Sequence, residues 1–154
     1  MEDRYLFKAK KKNWQELPKD EQWVQGYLFD DGFENGRMFV GGLVVEKYTG
    51  TACDDWTVTG VDFYEIDPNT ICQCTGLKDK NGKLIWEDDI IECKNGKYHF
   101  QTQIEWDAYC AGFIFQDTET SAVGLDAIST NGLYSEIEVI GNIFDNKELL
   151  ESEE

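Results

Sequence analysis

Three consecutive acids, Glu87, Asp88 and Asp89, are the residues of this chain best suited to hold a divalent metal ion. Carboxylate oxygens bind Mg²⁺, Ca²⁺ and Mn²⁺, and such an ion would support hydrolytic chemistry. The acids lie between two short apolar runs, and adjacent side chains on an extended chain face opposite sides. A shared ion would therefore require a turn at the cluster and ligands from a second strand, such as Glu105 or Asp107. The alternative, which we favour, is a polar break between two strands.

The five cysteines offer a second possible metal site. Cys72 and Cys74 form one close pair, and Cys93 and Cys110 follow further along the chain. A tetrahedral zinc site usually has two close pairs, and the C-x-C spacing is shorter than that of a zinc knuckle. An odd number of cysteines, with Cys53 as the fifth, is more typical of buried thiols in a reducing compartment. We therefore expect no metal ion and no cofactor.

The sequence patterns of other catalytic sites are missing. His99, the only histidine, lies in "YHFQTQIEW", where apolar and polar side chains alternate as in a half-buried strand. The alternation points Phe100, Ile104 and Trp106 to the buried side and His99 to the exposed side. There is no G-x-S-x-G nucleophile elbow and no glycine loop with the lysine of a phosphate-binding motif. We therefore predict no catalytic residue and favour a protein that is not an enzyme.

The composition indicates one folded domain. A chain of 154 residues with 14% aromatic residues can bury a core, and we expect a single β domain over residues 1–150 with an acidic flexible tail over residues 151–154. The start, "MEDRYLFKAKKKNW", has no apolar signal core, and no stretch has the length of a membrane span, which favours the cytoplasm. The net charge of −17 argues against direct binding to nucleic acid. We interpret the basic cluster from Lys8 to Lys12 as a polar turn.

Turn signals and alternating side chains predict many short strands. Asn-Gly, a strong hairpin signal, occurs four times, beginning at residues 35, 81, 95 and 131. The strand candidates are Arg4–Lys10, Trp23–Phe29, Met38–Tyr48, Val61–Ile66, Leu84–Cys93, Tyr98–Trp106, Phe113–Asp117 and Ile137–Ile143. The segment from Tyr48 to Gly60 has the pattern of a loop, and helices are restricted to short pieces after Pro18, Gly124 and Asn146. The expected fold is mainly β, a small antiparallel barrel-like sheet system with short helices.

Several motifs resemble the YopX family, small proteins encoded by phages and prophages of bacteria. The central match is "CTGLKDKNGKLIWEDDIIEC", and "FYEIDPNTICQCTG" precedes it. Downstream, "QIEWDAYCAGFIF" resembles the family's Glu-Trp-Asp strand, and "EIEVIGNIFDNKELL" resembles its closing motif. The opening segments "YLFKAKKKNW" and "WVQGYLFDD" look like the family's first hairpin. The resemblance covers nearly the whole chain, and residues 34–60 diverge most.

Two residues depart from the family pattern. Cys74 stands where the family usually has an aromatic residue, and Asp88 stands where it usually has Gly. A glycine there suggests a bend with positive φ, which Asp is among the few other residues to accept. The resemblance therefore implies a structural turn at the acid cluster rather than an inherited catalytic set. It also implies an SH3-like or PRC-barrel-like fold and an undefined role in phage or prophage biology.

The sequence leaves three hypotheses for function. The first is a non-enzymatic protein-interaction module, because five tryptophans exceed what one small core needs and exposed aromatics are natural binding residues. Its possible interaction surface consists of Trp86, Glu87, Asp88, Asp89, Trp106 and Asp107. The second is an acidic mimic of DNA that inhibits a host nucleic-acid enzyme. The third and least favoured is a metal-dependent enzyme that uses the acid cluster.

The expected partner is a protein from the host or the phage. A homo-oligomer is the other assembly that we consider. Direct binding to nucleic acid and association with a membrane are not expected, and the expected compartment is the bacterial cytoplasm.

Overall fold

The computed structural model of this protein describes residues 3–34, 36–48, 55–96, 98–117, 122–130 and 134–151. The chain divides into two compact units. The N-terminal unit is Tyr5–Ile71, and the C-terminal unit comprises Met1–Arg4 and Cys72–Glu154. The expectation of one domain over residues 1–150 stays a prediction, because a division into compact units does not decide whether each unit folds alone.

In the described residues of the N-terminal unit, four antiparallel strands pair in the order β4-β3-β2-β1. Their bounds are β1 Phe7–Lys10, β2 Trp23–Asp30, β3 Met38–Tyr48 and β4 Asp55–Glu65. Short 3-10 helices at Trp14–Glu16, Lys19–Glu21 and Pro68–Thr70 connect or follow the strands, and another at Asp3–Tyr5 precedes β1. Ala9, Val40 and Ile66 are fully or almost fully buried on one face of this sheet.

The basic cluster near the start of the chain begins in strand β1, which contains Lys8 and Lys10, whereas Lys12 lies in the turn that follows. Lys10 is only 1% exposed, and its ammonium donates to Gln22 Oε1 at 3.0 Å. The same ammonium lies 4.0 Å from the centre of the Trp14 ring, which gives it a cation–π contact. The prediction of a polar turn is therefore wrong for Lys10, because an amide oxygen and an aromatic ring can stabilise a lysine within a folded unit, and it holds for exposed Lys12.

The described part of the C-terminal unit contains eight strands. They are β5 Cys72–Lys78, β6 Leu84–Trp86, β7 Asp89–Asn95, β8 Tyr98–Gln103, β9 Glu105–Asp107, β10 Gly112–Gln116, β11 Ala122–Gly124 and β12 Ile137–Asn142. Two antiparallel sheets have the orders β12-β7-β8 and β11-β10-β9, and β5 pairs with β6. A short helix, α1 Ala127–Thr130, follows β11, and a 3-10 helix at Lys147–Leu149 follows β12.

Aromatic and β-branched side chains fill the core of the C-terminal unit. Ile85, Ile91 and Ile104 are inaccessible to solvent. Phe115 stacks on Phe100 with the ring centres 6.0 Å apart, and it meets Tyr134 edge-on at 5.2 Å. Contacts of this kind stabilise a core beyond the area that they bury. The packing fixes the strands that carry the acid cluster.

The expectation of a mainly β chain with antiparallel sheets and short helices is confirmed. None of the sheets in the described residues closes into a barrel. Two predicted strands are each divided in two: Leu84–Cys93 becomes β6 and β7, and Tyr98–Trp106 becomes β8 and β9. The expected loop before Gly60 is wrong for residues 55–60, which belong to β4.

Some sequence-based expectations lie outside the described residues. These are the first and last Asn-Gly pairs at Asn35 and Asn131, the thiol of Cys53, the side chain of Trp56 and the tail beyond Glu151. Of the other two pairs, Asn81-Gly82 lies in the turn between β5 and β6, and Asn95-Gly96 lies at the end of β7.

Among the described residues, no helix has the length and apolar character that crossing a membrane requires.

Candidate functional site

A turn at Glu87 and Asp88 separates β6 from β7. Asp88 has a φ of +64°, in the left-handed region that L-residues other than Asn and Asp rarely adopt. This confirms the positive φ expected from the family's glycine. The turn also confirms the expected break between two strands at the acid cluster, since Glu87 and Asp88 lie between β6 and Asp89, the first residue of β7.

Backbone hydrogen bonds hold this turn against the segment between β8 and β9. The Asp88 N–H donates to the Ile104 carbonyl at 2.8 Å, and the Ile104 N–H donates to the Asp89 carbonyl at 2.9 Å. The Asp88 carbonyl accepts from the Ile143 N–H at 3.1 Å. Because both backbone groups of Asp88 are used, its unusual conformation is set by the surrounding strands.

The two aspartates direct their carboxylates to different partners. Asp89 is 2% exposed, and its Oδ2 accepts from the Trp86 N–H at 2.9 Å across the turn. Asp88 Oδ1 accepts from Gln103 Nε2 at 2.8 Å, and its Oδ2 lies 3.9 Å from Cys72 Sγ, a weak thiol hydrogen bond. Each carboxylate therefore stabilises the turn that contains it.

The hydrogen-bond partners of Glu87 differ from those of Asp88 and Asp89. Its Oε2 accepts from the Gln73 N–H at 3.2 Å, and its own N–H donates to the Gln73 carbonyl at 2.9 Å. Burial raises the pKa of Glu87 above its ordinary value, the Gln73 N–H opposes this, and the neighbouring Asp88 carboxylate adds to the increase. The described residues contain no group of three or more His, Cys, Asp or Glu side chains arranged to hold a metal ion.

The remaining residues of the expected interaction surface differ widely in exposure. Trp86 is 5% exposed and packs inside the C-terminal unit, whereas Trp106 is 49% exposed. Trp106 meets the ring of Phe113 edge-on, with the centres 5.1 Å apart. Asp107 Oδ1 accepts from the Tyr109 N–H at 2.7 Å and shapes the turn that follows β9. The interaction surface itself stays a prediction.

Trp106 does not follow the alternation expected from the sequence. Phe100 and Ile104 are buried as predicted, but the inward orientation of Trp106 is wrong. β8 ends at Gln103, and β9 starts at Glu105 in a different sheet, so the alternation of β8 does not extend to Trp106. Trp106 is therefore a large aromatic side chain of this hairpin that is exposed to solvent, as is Tyr109.

A cleft of about 460 Å³ adjoins this hairpin in the C-terminal unit. Phe113, the ring that supports Trp106, lines the cleft together with Leu77 and Leu125. Exposed Cys110 and Asp126 lie at its edge. The cleft therefore has an apolar interior and a polar edge with one carboxylate, the usual composition of a binding pocket.

Sequence reasoning missed this cleft and one structural carboxylate. The cleft combines three segments that are distant in the chain, and no local sequence motif predicts it.

Asp79 is a structural carboxylate that is 7% exposed. Its Oδ1 accepts from the N–H groups of Asn81 and Lys83 at 2.9 Å each, and its Oδ2 accepts from the Val139 N–H at 3.0 Å. An Asp two residues before an Asn-Gly pair is a recognisable turn signal, but the contact with Val139 is not visible in the sequence.

The cysteines and the histidine have separate surroundings. Cys72, Cys74 and Cys93 are buried, as expected, whereas Cys110 is exposed, so the expectation of a buried thiol is wrong there. The turn before β10 that contains Cys110 faces the cleft rather than the core. His99 is on the exposed face of β8, as predicted, with its Nε2 3.4 Å from Glu92 Oε1.

Glu92 lies at the centre of a small polar cluster on β7 and β8. The Lys94 ammonium is 2.9 Å from its Oε2, and Gln101 Nε2 donates to its Oε1 at 3.0 Å. Together with His99, these donors lower the pKa of Glu92 to about 2, with Lys94 the largest cause. The cluster explains the low pKa without a bound ligand.

Comparisons with known proteins bear on the fold and the family. The family model described as YopX protein matches residues 44–151. The crystal structure of protein EF1440 from Enterococcus faecalis is similar to this chain, with a TM-score of 0.52 and 19% sequence identity over 95% of this chain and 96% of that chain. At this identity the likeness shows the fold alone. No curated protein gives a significant sequence match.

Proposed function

Because this chain belongs to the YopX family, we propose that it is a phage- or prophage-encoded, non-enzymatic protein-interaction module that acts in the bacterial cytoplasm. The observation that supports the proposal most is Trp106, an aromatic side chain about half exposed beside an apolar cleft. Trp is the residue most enriched among those that dominate binding energy at protein interfaces. Its ring is held edge-on by Phe113, so binding costs little side-chain entropy.

The chemistry of the surroundings defines the kind of partner. Leu77, Phe113 and Leu125 offer an apolar cavity, and Asp107 and Asp126 add carboxylates nearby. A protein segment with one apolar side chain for the cleft and basic side chains beside it would complement this surface. The net charge of −17 would also steer a basic partner toward the protein.

The acid turn has a supporting role in this proposal. Asp89 and Trp86 are buried and fix the end of β6, and Glu87 and Asp88 are the members of the cluster with partial exposure. Glu87 and Asp88 would form one side of the interaction surface only if the partner extends beyond the cleft. Trp106 and Asp107 therefore make the primary contact in our proposal.

Affinity capture from phage-infected host lysate tests the proposal. The baits are the natural protein, Trp106→Ala and Phe33→Ala, the last being an exposed aromatic in the N-terminal unit. We expect the same bacterial or phage protein on the natural bait and on Phe33→Ala, with strong loss on Trp106→Ala. Equal melting temperatures of the three baits would exclude unfolding as the cause. Retention by Trp106→Ala at the natural level would contradict the proposed surface.

Affinity capture also tests the DNA mimic, and a melting experiment with divalent cations tests the metal-dependent enzyme. A DNA mimic would capture a nucleic-acid enzyme in a manner that survives Trp106→Ala and weakens steeply with salt. The ion pairs Lys12–Glu65, Arg37–Asp31, Lys80–Glu138 and Lys94–Glu92 intersperse cations among the acids, which favours the interaction module. A metal-dependent enzyme would be favoured by a rise in melting temperature with Mg²⁺, Ca²⁺ or Mn²⁺ that is lost in Asp89→Asn and kept in Glu151→Gln.

A further inference from the structure

The sheet of the N-terminal unit has apolar side chains on its core face and also on part of the opposite face, mainly in β3 and β4. Strand pairing places Leu28 opposite Val40 on the face that contains the buried core. On the other face, Phe29 pairs with Phe39, Leu43 with Val61, and Val45 with Val58. The pairing register shifts by one residue opposite Val44 and Val45, which is a β-bulge in β4. Because of this extra residue, Val58 and Val61 point to the same face although they are three residues apart.

Five apolar residues on this second face are exposed to solvent. The patch consists of Phe29, Leu43, Val45, Val58 and Val61, which are 48%, 62%, 42%, 55% and 64% exposed. An antiparallel sheet with one solvated face normally has polar side chains there. A contiguous apolar face of this kind marks an interaction site rather than an ordinary surface. Phe63, whose ring meets Phe29 edge-on at 4.9 Å, extends the patch toward the body of the sheet.

The size of the patch is suited to a dimer. At their observed exposure, one aromatic and four aliphatic side chains present on the order of 300–400 Å² of apolar surface. A stable interface buries about 800 Å² on each partner, of which somewhat more than half is apolar. The patch by itself would therefore supply most of the apolar area that each copy needs.

We propose that this patch is a two-fold interface at which a second copy of the chain packs its sheet on the first. A two-fold interface requires one surface that complements itself, and a twisted sheet face of valine, leucine and phenylalanine can interdigitate with an identical face about 10 Å away. None of the five patch residues is charged, so their contact buries no like charges. This matters because copies with a net charge of −17 repel elsewhere, and salt screens that repulsion beyond about 8 Å.

Neighbouring valines on β3 provide a matched pair of variants. Val44 and Val45 have the same exposure, 42%, but they lie on opposite faces of the hairpin, and only Val45 belongs to the patch. Val45→Lys would place an ammonium in the interface of each copy, whereas Val44→Lys would leave it outside. Val58→Thr is a milder second variant, which changes the patch with little change of shape.

The test is the mass of the purified chain by light scattering and sedimentation, from about 2 to about 200 µM. We expect the natural protein and Val44→Lys to form dimers as concentration rises, and Val45→Lys to raise the dimer dissociation constant at least about tenfold. Val58→Thr should raise it in the same direction and should keep the natural melting temperature. A natural protein that is monomeric throughout, or that binds a different protein at this patch instead, would overturn the proposal. Equal effects of Val44→Lys and Val45→Lys would also overturn it.

Discussion

At the scale of single residues, the acid cluster is a set of three differently used carboxylates. Asp89 stabilises the end of β6, Asp88 occupies a left-handed position, and Glu87 is half-buried against β5. Their adjacency in the sequence left a metal site as the less favoured interpretation, beside a polar break between two strands. In the structure the turn gives each acid its own partner, and the glycine of the family pattern at Asp88 indicated the backbone conformation that this turn has.

Substitutions at Asp88 should separate backbone strain from side-chain bonding. Asp88→Ala forces an ordinary L-residue into φ +64° and removes the acceptor of the Gln103 amide, so we expect a loss of about 1–3 kcal/mol in the free energy of unfolding. Asp88→Gly relieves the strain and should change stability by less than about 1 kcal/mol. Urea unfolding of the three proteins gives both values.

Asp88→Asn is the control for this pair, because Asn also tolerates positive φ and keeps an acceptor. It should resemble Asp88→Gly. If Asp88→Ala unfolds at the same urea concentration as the natural protein, the turn is not strained. A large loss in Asp88→Gly would instead show that the carboxylate has a more important partner than the bonds described above.

Two glutamates should affect stability with opposite signs as pH changes. The folded-state pKa of Glu92 is about 2, below its ordinary 4.5, so its stabilising contribution is present above the ordinary pKa and is lost as pH falls through about 2. The folded-state pKa of Glu87 is raised, so its contribution is full below the ordinary value and is lost as pH rises through the raised pKa.

Glu92→Gln should therefore destabilise the protein by up to about 1 kcal/mol at neutral pH, and the difference should disappear in strong acid. Glu87→Gln should stabilise the protein at neutral pH, since a neutral amide occupies the half-buried position, and its gain should disappear near the ordinary pKa. Urea unfolding between about pH 2 and pH 8 measures both differences. A stabilising Glu92→Gln or a destabilising Glu87→Gln at neutral pH would contradict the assigned environments.

At the scale of elements, the long hairpin of β3 and β4 depends on one close backbone approach. A Cβ atom on Gly41 would collide with the carbonyl oxygen of Asp62 in the neighbouring strand, whereas a Cβ on Gly60 would meet nothing within 4 Å. Both glycines lie inside strands of the same hairpin. The contrast shows that Gly41 is required by packing and Gly60 is not.

Alanine at these two positions should therefore have opposite effects. Gly41→Ala should destabilise the N-terminal unit by about 1–3 kcal/mol or more, because strand backbones must separate. Gly60→Ala should be neutral or stabilising by up to about 1 kcal/mol, through a less flexible unfolded chain. Thermal unfolding measured side by side decides between this account and one in which both glycines only provide flexibility, for which the two variants would behave alike.

The sequence predicted the existence of individual strands better than it predicted the residues at which they end. β2, β3, β10 and β12 occur close to where alternation and turn residues indicated them. The break at Asp88 was expected from the acid cluster and the family's glycine. The break at Ile104 was missed because it depends on hydrogen bonds to Asp88 and Asp89 in another segment, not on local propensity. Asp79 and the cleft were missed for the same reason, since their partners are far away along the chain.

At the scale of the whole molecule, membership of the YopX family accounts for the sequence motifs that this chain shares with the family and does not identify a binding partner. Two surfaces of the chain combine apolar exposure with a defined shape. The cleft beside Trp106 in the C-terminal unit suits a segment of another protein, and the apolar face of the N-terminal unit suits a second copy. A dimer would present two such clefts to its partner, which would increase the apparent affinity for a partner with two binding segments.

We expect Trp106 to dominate binding to the protein that the affinity capture identifies. Isothermal titration of that protein with the natural chain, Trp106→Ala and Phe33→Ala measures its contribution. Removal of a dominant interface tryptophan costs about 2 kcal/mol or more, so we predict that Trp106→Ala weakens binding at least about 30-fold and that Phe33→Ala changes it less than about twofold. Equal dissociation constants for the natural chain and Trp106→Ala would contradict the account.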